Sequence, residues 1–283
     1  MMEGLPPRVL NMIDIALDED LGNGDVTCRL TVPSSHVSKG RVIAKQDLVV
    51  SGEDVFCAVM NRVDPSIKIE LRCAAGDFVK SGSLLMAVEG RTRSLLAAER
   101  VSLNFLQRLS GVATLTRSYV DRLPAGSRTS VTDTRKTSPG LRFLERRAVI
   151  HGGGNNHRAD LGGGVLIKEN HIAAAGSVTA AVHRCVEGAP HPLRIEVEVR
   201  DSAELDEALS AGASAVLLDN MSLEDLRSAV AQAEGKGVVL EASGGITHET
   251  VADVAACGVD IISVGALTHS YPAADISFLI EGA

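Results

Sequence analysis

The chain has 283 residues, which exceeds one average domain and fits an α/β barrel with a small appendage. Its 45% hydrophobic and 23% charged residues exclude disordered, collagen-like and coiled-coil classes. A net charge of −8 and the lack of tryptophan argue against a nucleic-acid partner. No apolar run approaches the roughly 20 residues of a membrane helix, and the first residues lack a signal-peptide pattern, so we expect no membrane association and a cytoplasmic protein.

The first 110 residues predict a small α/β sandwich domain. Apolar residues from Val9 to Leu17 fall at helical spacing and predict a helix that stops at Gly22. Strand patterns follow at 41–50, 67–73 and 84–88, with a helical segment at 53–63. A long helix is predicted from about residue 93 to 109, ending near Gly111, where we place the domain boundary. The expected domains are 1–111 and 112–269, with the segment 270–283 packing back on the first.

From about residue 127 the pattern becomes strand, loop and helix, repeated. Strands are predicted at 129–134, 165–168, 193–199, 215–219, 238–243 and 261–265, and helices at 202–209, 222–233 and 247–256. Continuous apolar strands alternating with helices predict a parallel sheet covered on its outer face. Polar or small residues close the last four strands at intervals of 21, 24 and 22 residues: Glu198, Asp219, Ser243 and Gly265. This spacing favours a β/α barrel, with an open doubly wound sheet as the alternative.

The late strand ends carry candidate phosphate and metal ligands. Glycine-bearing turns at 241–247 and 263–266 open towards helices, and their backbone N–H groups can bind phosphate, although such glycines can also serve tight turns alone. Glu198 and Asp219 can hold Mg²⁺ or accept hydrogen bonds from sugar hydroxyls. A carboxylate pair beside a phosphate cradle favours the metal.

A dense run of cations predicts an anion-binding site. Residues 128–171 hold eight Lys or Arg residues against four acids. Arg135 and Lys136 follow a strand, and His157 and Arg158 follow a triple glycine, so these cations lie in loops and suit carboxylate and phosphate recognition. Lys168, at the end of an apolar strand, can also be a Schiff-base lysine. A surface ion-pair network, the competing interpretation, fits the helical arginines at 146 and 147.

Several ordered motifs together resemble the quinolinate phosphoribosyltransferase family over nearly the whole chain. They comprise D-L-G-N-G-D-V-T at 20–27, E-R at 99–100, L-N at 103–104, L-S-G at 109–111, T-R-K-T at 134–137, P-G-L-R at 139–142, G-G-G-x-N-H-R at 152–158 and L-I-K-E-N-H at 166–171. The resemblance implies an N-terminal α/β sandwich and an incomplete seven-stranded β/α barrel. It also implies a homodimer in which Arg100 is lent to the neighbouring site, and it leaves assembly beyond the dimer open.

The resemblance implies a reaction as well. The family joins quinolinate to phosphoribosyl pyrophosphate with Mg²⁺ and no organic cofactor, and releases pyrophosphate and CO₂ to give nicotinate mononucleotide in NAD synthesis. By the same resemblance Lys136, Lys168, Glu198 and Asp219 are catalytic, and Glu198 and Asp219 hold the metal. The substrate-binding residues it implies are Arg100, Thr134, Arg135, Lys136, His157, Arg158, Lys168, Glu198, Asp219, Ser243, Gly244 and Gly265.

Three other functions stay open from the residues alone. A related transferase would act on another anionic ring without decarboxylation, and a Schiff-base lyase would use Lys168 and need no Mg²⁺. A metabolite-binding or assembly protein would keep the scaffold without catalysis. Three arginines at 100, 135 and 158 favour a substrate with two carboxylates.

Overall fold

The computed structural model describes residues 4–281, which form two compact units. The first unit contains the chain up to Leu115, the segment Ser138–Gly153 and the chain from Tyr271 onwards. The second unit contains Thr116–Thr137 and Gly154–Ser270. The predicted domain boundary at residue 111 therefore lies four residues before the first division, and the segment Ser138–Gly153 belongs to the first unit although it follows the boundary.

The helices and strands follow one another in a mixed order along the chain. The helices are α1 Pro7–Leu21, α2 Val26–Thr31, α3 Glu53–Val63, α4 Thr92–Val120, α5 Arg142–His151, α6 Glu169–Ala175, α7 Val178–Gly188, α8 Ser202–Ser210, α9 Leu223–Ala233, α10 Val251–Ala256 and α11 Ala266–His269. The strands are β1 Val37–Ala44, β2 Leu48–Val49, β3 Lys68–Leu71, β4 Phe78–Val79, β5 Leu84–Arg91, β6 Ser130–Thr132, β7 Val165–Ile167, β8 Ile195–Val199, β9 Ala215–Asp219, β10 Val239–Ser243, β11 Ile261–Ser263 and β12 Ile276–Ile280.

An antiparallel sheet in the order β12-β1-β5-β3 forms the first unit's main layer, beside a two-stranded sheet of β2 and β4. Strand β1 alternates buried and exposed residues, as a strand does when one of its faces is covered. Helix α3 carries acids in its first turn and Arg62 in its last, which suits the helix dipole. Its buried face, with Phe56 and Met60, packs into the core. Strand β12 places the C-terminal segment in this unit.

The second unit is built on a parallel sheet in the order β7-β8-β9-β10-β11-β6. Strands β7 to β11 follow chain order, and β6, the first strand of the unit, pairs with β11, the last. A β/α barrel requires its first and last strands to be neighbours, whereas a doubly wound sheet reverses its strand order at a switch point. The predicted fold class, a β/α barrel after a small α/β sandwich, is confirmed.

The number of strands differs from the seven that were expected. Six strands form the sheet, and the seventh place beside β6 is taken by a single parallel bridge between Thr132 and Asn155. The glycines at 152–154 precede Asn155, and a segment with so few side chains gains little from pairing as a longer strand. The bridge nevertheless anchors the start of the loop that carries His157 and Arg158.

The end of the long helix was predicted wrongly. Helix α4 continues through Gly111 to Val120, so the glycine is not a helix stop. Its role is close packing, because a Cβ at Gly111 would overlap the carbonyl oxygen of Pro272. A glycine in a helix pattern therefore marked a contact with the C-terminal segment of the same unit.

Replacing Gly111 by alanine is expected to destabilise the protein by about 1 kcal/mol or more, although alanine is the better helix former. Gly188, in α7, is the matched control, because a Cβ there would meet no atom within 4 Å. Gly188→Ala should leave the free energy of unfolding unchanged or raise it. Urea unfolding of both variants measures the difference. Equal effects of the two substitutions would contradict the packing role of Gly111.

Candidate active site

Most of the predicted site residues line one cavity of about 310 Å³ in the second unit. The predicted residues among its lining are Thr134, Arg135, Lys136, His157, Arg158, Lys168, Glu198, Asp219 and Ser243. They come from the ends of four strands, β7 to β10, and from two loops, at 134–136 and 157–158. The fold therefore gathers cations and carboxylates at one place, as expected for the strand ends of a β/α barrel.

The three remaining predicted residues lie elsewhere. Gly244 lines a neighbouring cavity of about 250 Å³ in the second unit. Gly265 lies against the stem of Lys136, since a Cβ there would be 3.1 Å from the lysine Cδ. Arg100 is exposed and lines a cavity of about 560 Å³ in the first unit, together with Arg108 and Asp20.

Lys168 and Glu198 form the clearest ion pair of the cavity. The Lys168 ammonium donates to Glu198 Oε2 at 2.7 Å. The backbone N–H of Lys168 donates to His171 Nδ1, which fixes the lysine at the start of α6. A Schiff-base lysine needs an amine that can attack a carbonyl carbon, whereas the Lys168 nitrogen is held by the Glu198 carboxylate. This geometry does not favour the lyase.

The two predicted metal ligands face the same cavity. Asp219 ends β9 and Glu198 lies near the end of β8. Asp219 Oδ2 accepts a hydrogen bond from the Asn220 amide at 2.8 Å. Carboxylate oxygens are the ligands Mg²⁺ takes from proteins, with phosphates and water completing its shell, so this pair fits the ion. The Lys168 ammonium neutralises the Glu198 carboxylate, so it would compete with a metal ion for that ligand.

Two arginines provide the anion-binding character of the cavity. Arg158 Nη1 donates to the carbonyl oxygen of Gly164 at 2.9 Å, which holds the guanidinium against the glycine-rich loop. Partial burial and the nearby Arg135 charge lower the pKa of Arg158. Two guanidinium groups at one cavity repel each other, and an anion bound between them would relieve that repulsion.

Lys136 is exposed but held through its backbone. Its carbonyl oxygen accepts from the Thr268 hydroxyl at 2.8 Å, and its N–H donates to the Thr134 hydroxyl at 3.1 Å. The side chain passes Gly265, where any larger residue would crowd it. An exposed lysine whose backbone is fixed in this way suits a point charge for phosphate.

The turn after β9 contains a residue that the sequence analysis missed. Asn220 has φ 54°, the one non-glycine positive φ within the described part of the chain. Its N–H donates to the Ser243 carbonyl, and its side chain covers Gly244. Strained backbone of this kind often marks a functional site. The signal in the sequence was an asparagine directly after a strand-end acid, a residue that tolerates this conformation.

Replacing Gly244 by alanine should disrupt this turn. Gly244 has φ +92°, and a Cβ there would overlap the Asn220 side chain. We expect a loss of stability of about 1–3 kcal/mol and weaker binding of a phosphorylated substrate. Gly245→Ala, with φ +60° but no atom within 4 Å of its Cβ, is the control for backbone strain alone. Isothermal titration with the phosphorylated substrate and thermal unfolding measure both effects, and equal results for the two variants would contradict the proposed overlap.

Three buried residues around His157 were also missed: Asp133, Glu196 and Glu241. Asp133 Oδ1 accepts from the His157 backbone N–H at 2.8 Å. His157 Nε2 lies 3.3 Å from a Glu196 oxygen and 3.5 Å from a Glu241 oxygen. Ligand atoms of His157, Glu196 and Glu241 lie within 4.8 Å of one another, the kind of group that can hold a metal ion. Strand alternation could have revealed the acids, because residue 196 shares a face with Glu198 and 241 with Ser243.

Comparison with known proteins gives consistent matches along the chain. Models of the quinolinate phosphoribosyl transferase N-terminal and C-terminal domains match residues 25–110 and 112–279. Quinolinate phosphoribosyltransferase (decarboxylating) 1b of Nicotiana tabacum is 41% identical over 95% of this chain and 81% of its own. The probable nicotinate-nucleotide pyrophosphorylase (carboxylating) of Bacillus subtilis is 39% identical over 92% of this chain and 89% of its own.

Solved structures agree with these sequence matches. The nicotinate-nucleotide pyrophosphorylase of Francisella tularensis superposes with a TM-score of 0.93 at 37% identity, over 99% of this chain and all of that one. The NadC structure from Streptococcus pyogenes also has a TM-score of 0.93 at 37% identity, over 100% of this chain and 98% of its own. Within residues 4–281, no helix is long and apolar enough to cross a membrane.

Proposed function

The chain belongs to the quinolinate phosphoribosyl transferase family, and we propose that it transfers the phosphoribosyl group of phosphoribosyl pyrophosphate to quinolinate with decarboxylation. The products are nicotinate mononucleotide, pyrophosphate and CO₂, in the synthesis of NAD. One observation carries the proposal most strongly: a single cavity joins two arginines and two lysines with a carboxylate pair. A substrate pair with two ring carboxylates and three phosphate groups matches this mixture of charges.

The residues divide into two groups by the charge they meet. Arg135 and Arg158 hold the quinolinate carboxylates as planar forks, with Lys168 beside them. Ser243, Gly244 and Gly265 form the cradle for the 5′-phosphate, where backbone N–H groups at turns point at the ligand. Thr134 supports Lys136 from the same loop.

The difficult step is cleavage of the C1′–O bond as pyrophosphate leaves. The new bond forms between the ring nitrogen and C1′ while the ribose carries positive charge. The Lys136 ammonium stabilises the leaving pyrophosphate, and Glu198 and Asp219 favour the developing charge on the sugar. The arginine clamp aims the ring nitrogen at C1′, which is catalysis by positioning.

Decarboxylation follows without an organic cofactor. The quaternary ring nitrogen stabilises the carbanion that remains when the adjacent carboxylate leaves as CO₂, and that carbanion takes up a proton from solvent once the CO₂ has left. The protein's contribution is to exclude water and to keep a cation near the ring. Mg²⁺ held by Glu198 and Asp219 would supply neutralisation of the pyrophosphate charge. We expect removal of the ion with a chelator to abolish turnover.

We further propose that the active protein is a homodimer in which each subunit lends its Arg100 to the active site of its partner. Arg100 is exposed, and it lies in a first-unit cavity rather than with the other predicted residues. Mixing two inactive variants, Arg100→Ala and Lys168→Ala, tests this sharing. Unfolded and refolded together, they should regain roughly a quarter of wild-type activity, because half the dimers pair unlike subunits and each has one intact site. No recovery would show that Arg100 acts within its own chain.

Substrate choice tests the reaction itself. Purified protein with Mg²⁺ and phosphoribosyl pyrophosphate should turn over quinolinate and leave nicotinate unused. Use of nicotinate alone would identify a transferase that does not decarboxylate. No turnover of either quinolinate or nicotinate, together with borohydride trapping of a carbonyl substrate on Lys168, would identify the lyase instead. Localisation in the cytoplasm stays a prediction, which fluorescence tagging of the full chain would test.

A further inference from the structure

His157 has both of its ring nitrogens occupied by the protein. Nδ1 accepts a hydrogen bond from the Arg158 backbone N–H at 2.7 Å. A ring nitrogen that accepts carries no proton, so in the neutral ring the proton lies on Nε2, which faces Glu196 and Glu241. The ring thus links the two acids to the backbone N–H of Arg158.

We propose that Glu241 is a positioning residue: with Glu196 it holds the His157 ring, and through that ring it fixes the backbone from which Arg158 reaches the quinolinate carboxylates. The inference rests on the proposed function and deepens it. Glu241 itself does not contact the substrate. Its effect passes through His157, whose ring makes the link between the acid and the Arg158 N–H.

The position of Glu241 supports this role. It lies in the middle of β10, is 2% exposed, and faces the same cavity as Arg158. Its Oε1 has no hydrogen-bond partner within residues 4–281. Burying a carboxylate oxygen without a hydrogen-bond partner costs folding free energy. Such a cost is tolerated when the same side chain makes a contact that is needed, here the contact with His157.

Burial also affects the protonation of Glu241. Burial, followed by the Glu196 charge, raises the pKa of Glu241 to about 7, against the lowering influence of His157. A protonated carboxyl group can both donate and accept hydrogen bonds, as a glutamine amide can. Glutamine at 241 should therefore preserve the arrangement, and an apolar residue should not.

The test compares Glu241→Gln and Glu241→Leu with wild type, and uses Glu249→Gln, an exposed acid of the same unit, as the control. We expect E241L to raise KM and Kd for quinolinate roughly 10- to 100-fold, and to leave KM for phosphoribosyl pyrophosphate within about twofold. E241Q and E249Q should stay close to wild type. Isothermal titration gives Kd for quinolinate, and initial rates give both KM values and kcat.

Several outcomes would overturn the inference. An unchanged quinolinate KM in folded E241L would do so, and so would an equal rise in both KM values. If E241L does not fold, Glu241→Asp takes its place, because it keeps the acid but withdraws the carboxyl by about 1.5 Å; it should show the same selective rise. Absence of wild-type turnover with quinolinate would remove the proposed function itself, and is thereby distinguished from failure of this inference.

Discussion

Replacing Arg158 by lysine is expected to lower kcat/KM for quinolinate about 100-fold, mainly through KM. The guanidinium is held by the Gly164 carbonyl and lies near Arg135, so a bidentate contact with a carboxylate is already oriented. Lysine keeps the charge but loses the planar fork and this anchor. A 100-fold factor corresponds to about 3 kcal/mol, which we assign to the lost bidentate geometry.

Arg128→Lys is the matched control, because Arg128 is exposed in the same unit. It should leave KM and kcat unchanged. Steady-state kinetics with quinolinate varied at saturating phosphoribosyl pyrophosphate gives the required parameters. If Arg158→Lys retained wild-type KM for quinolinate, the carboxylate clamp would have to be assigned to other residues.

Replacing Lys136 by alanine should lower kcat about 100-fold or more with a smaller change in either KM. The ammonium is proposed to meet the leaving pyrophosphate, whose charge grows as the C1′–O bond breaks, so its contribution is largest in the transition state. The hydrogen bonds of its carbonyl and N–H to Thr268 and Thr134 involve backbone atoms and survive the substitution. The fold should therefore be retained.

Lys236→Ala, an exposed lysine of the second unit, is the control for loss of a positive charge. Pre-steady-state measurement of pyrophosphate release separates the chemical step from product release. Near-full turnover of Lys136→Ala would contradict the proposed stabilisation of the leaving group.

Sequence patterns predicted the strand framework of the second unit well because its signals are local. The strand 215–219 lies where predicted, and the strand-end residues Glu198 and Asp219 face one cavity. The helix 53–63 of the first unit also lies where predicted. A continuous apolar run followed by an acid depends on a few neighbouring residues alone. Parallel β/α topology then brings those strand ends together.

Features that depend on distant parts of the chain were not predicted. Gly111 looked like a helix stop, but a glycine is needed there because Pro272, more than 150 residues later in the chain, packs against it. Glu241 looked like part of a turn motif, and its partners His157 and Glu196 come from another loop and another strand. Strand periodicity places such an acid on a face, but the histidine it meets becomes known only from the fold.

The most direct test of the proposed reaction is the stoichiometry of its products. Purified wild-type protein is incubated with Mg²⁺, phosphoribosyl pyrophosphate and quinolinate labelled in the 2-carboxylate, and CO₂, pyrophosphate and nicotinate mononucleotide are measured from the same sample. The proposal predicts equal amounts of all three, and none when phosphoribosyl pyrophosphate is omitted. CO₂ without nucleotide, or nucleotide that retains the label, would contradict it.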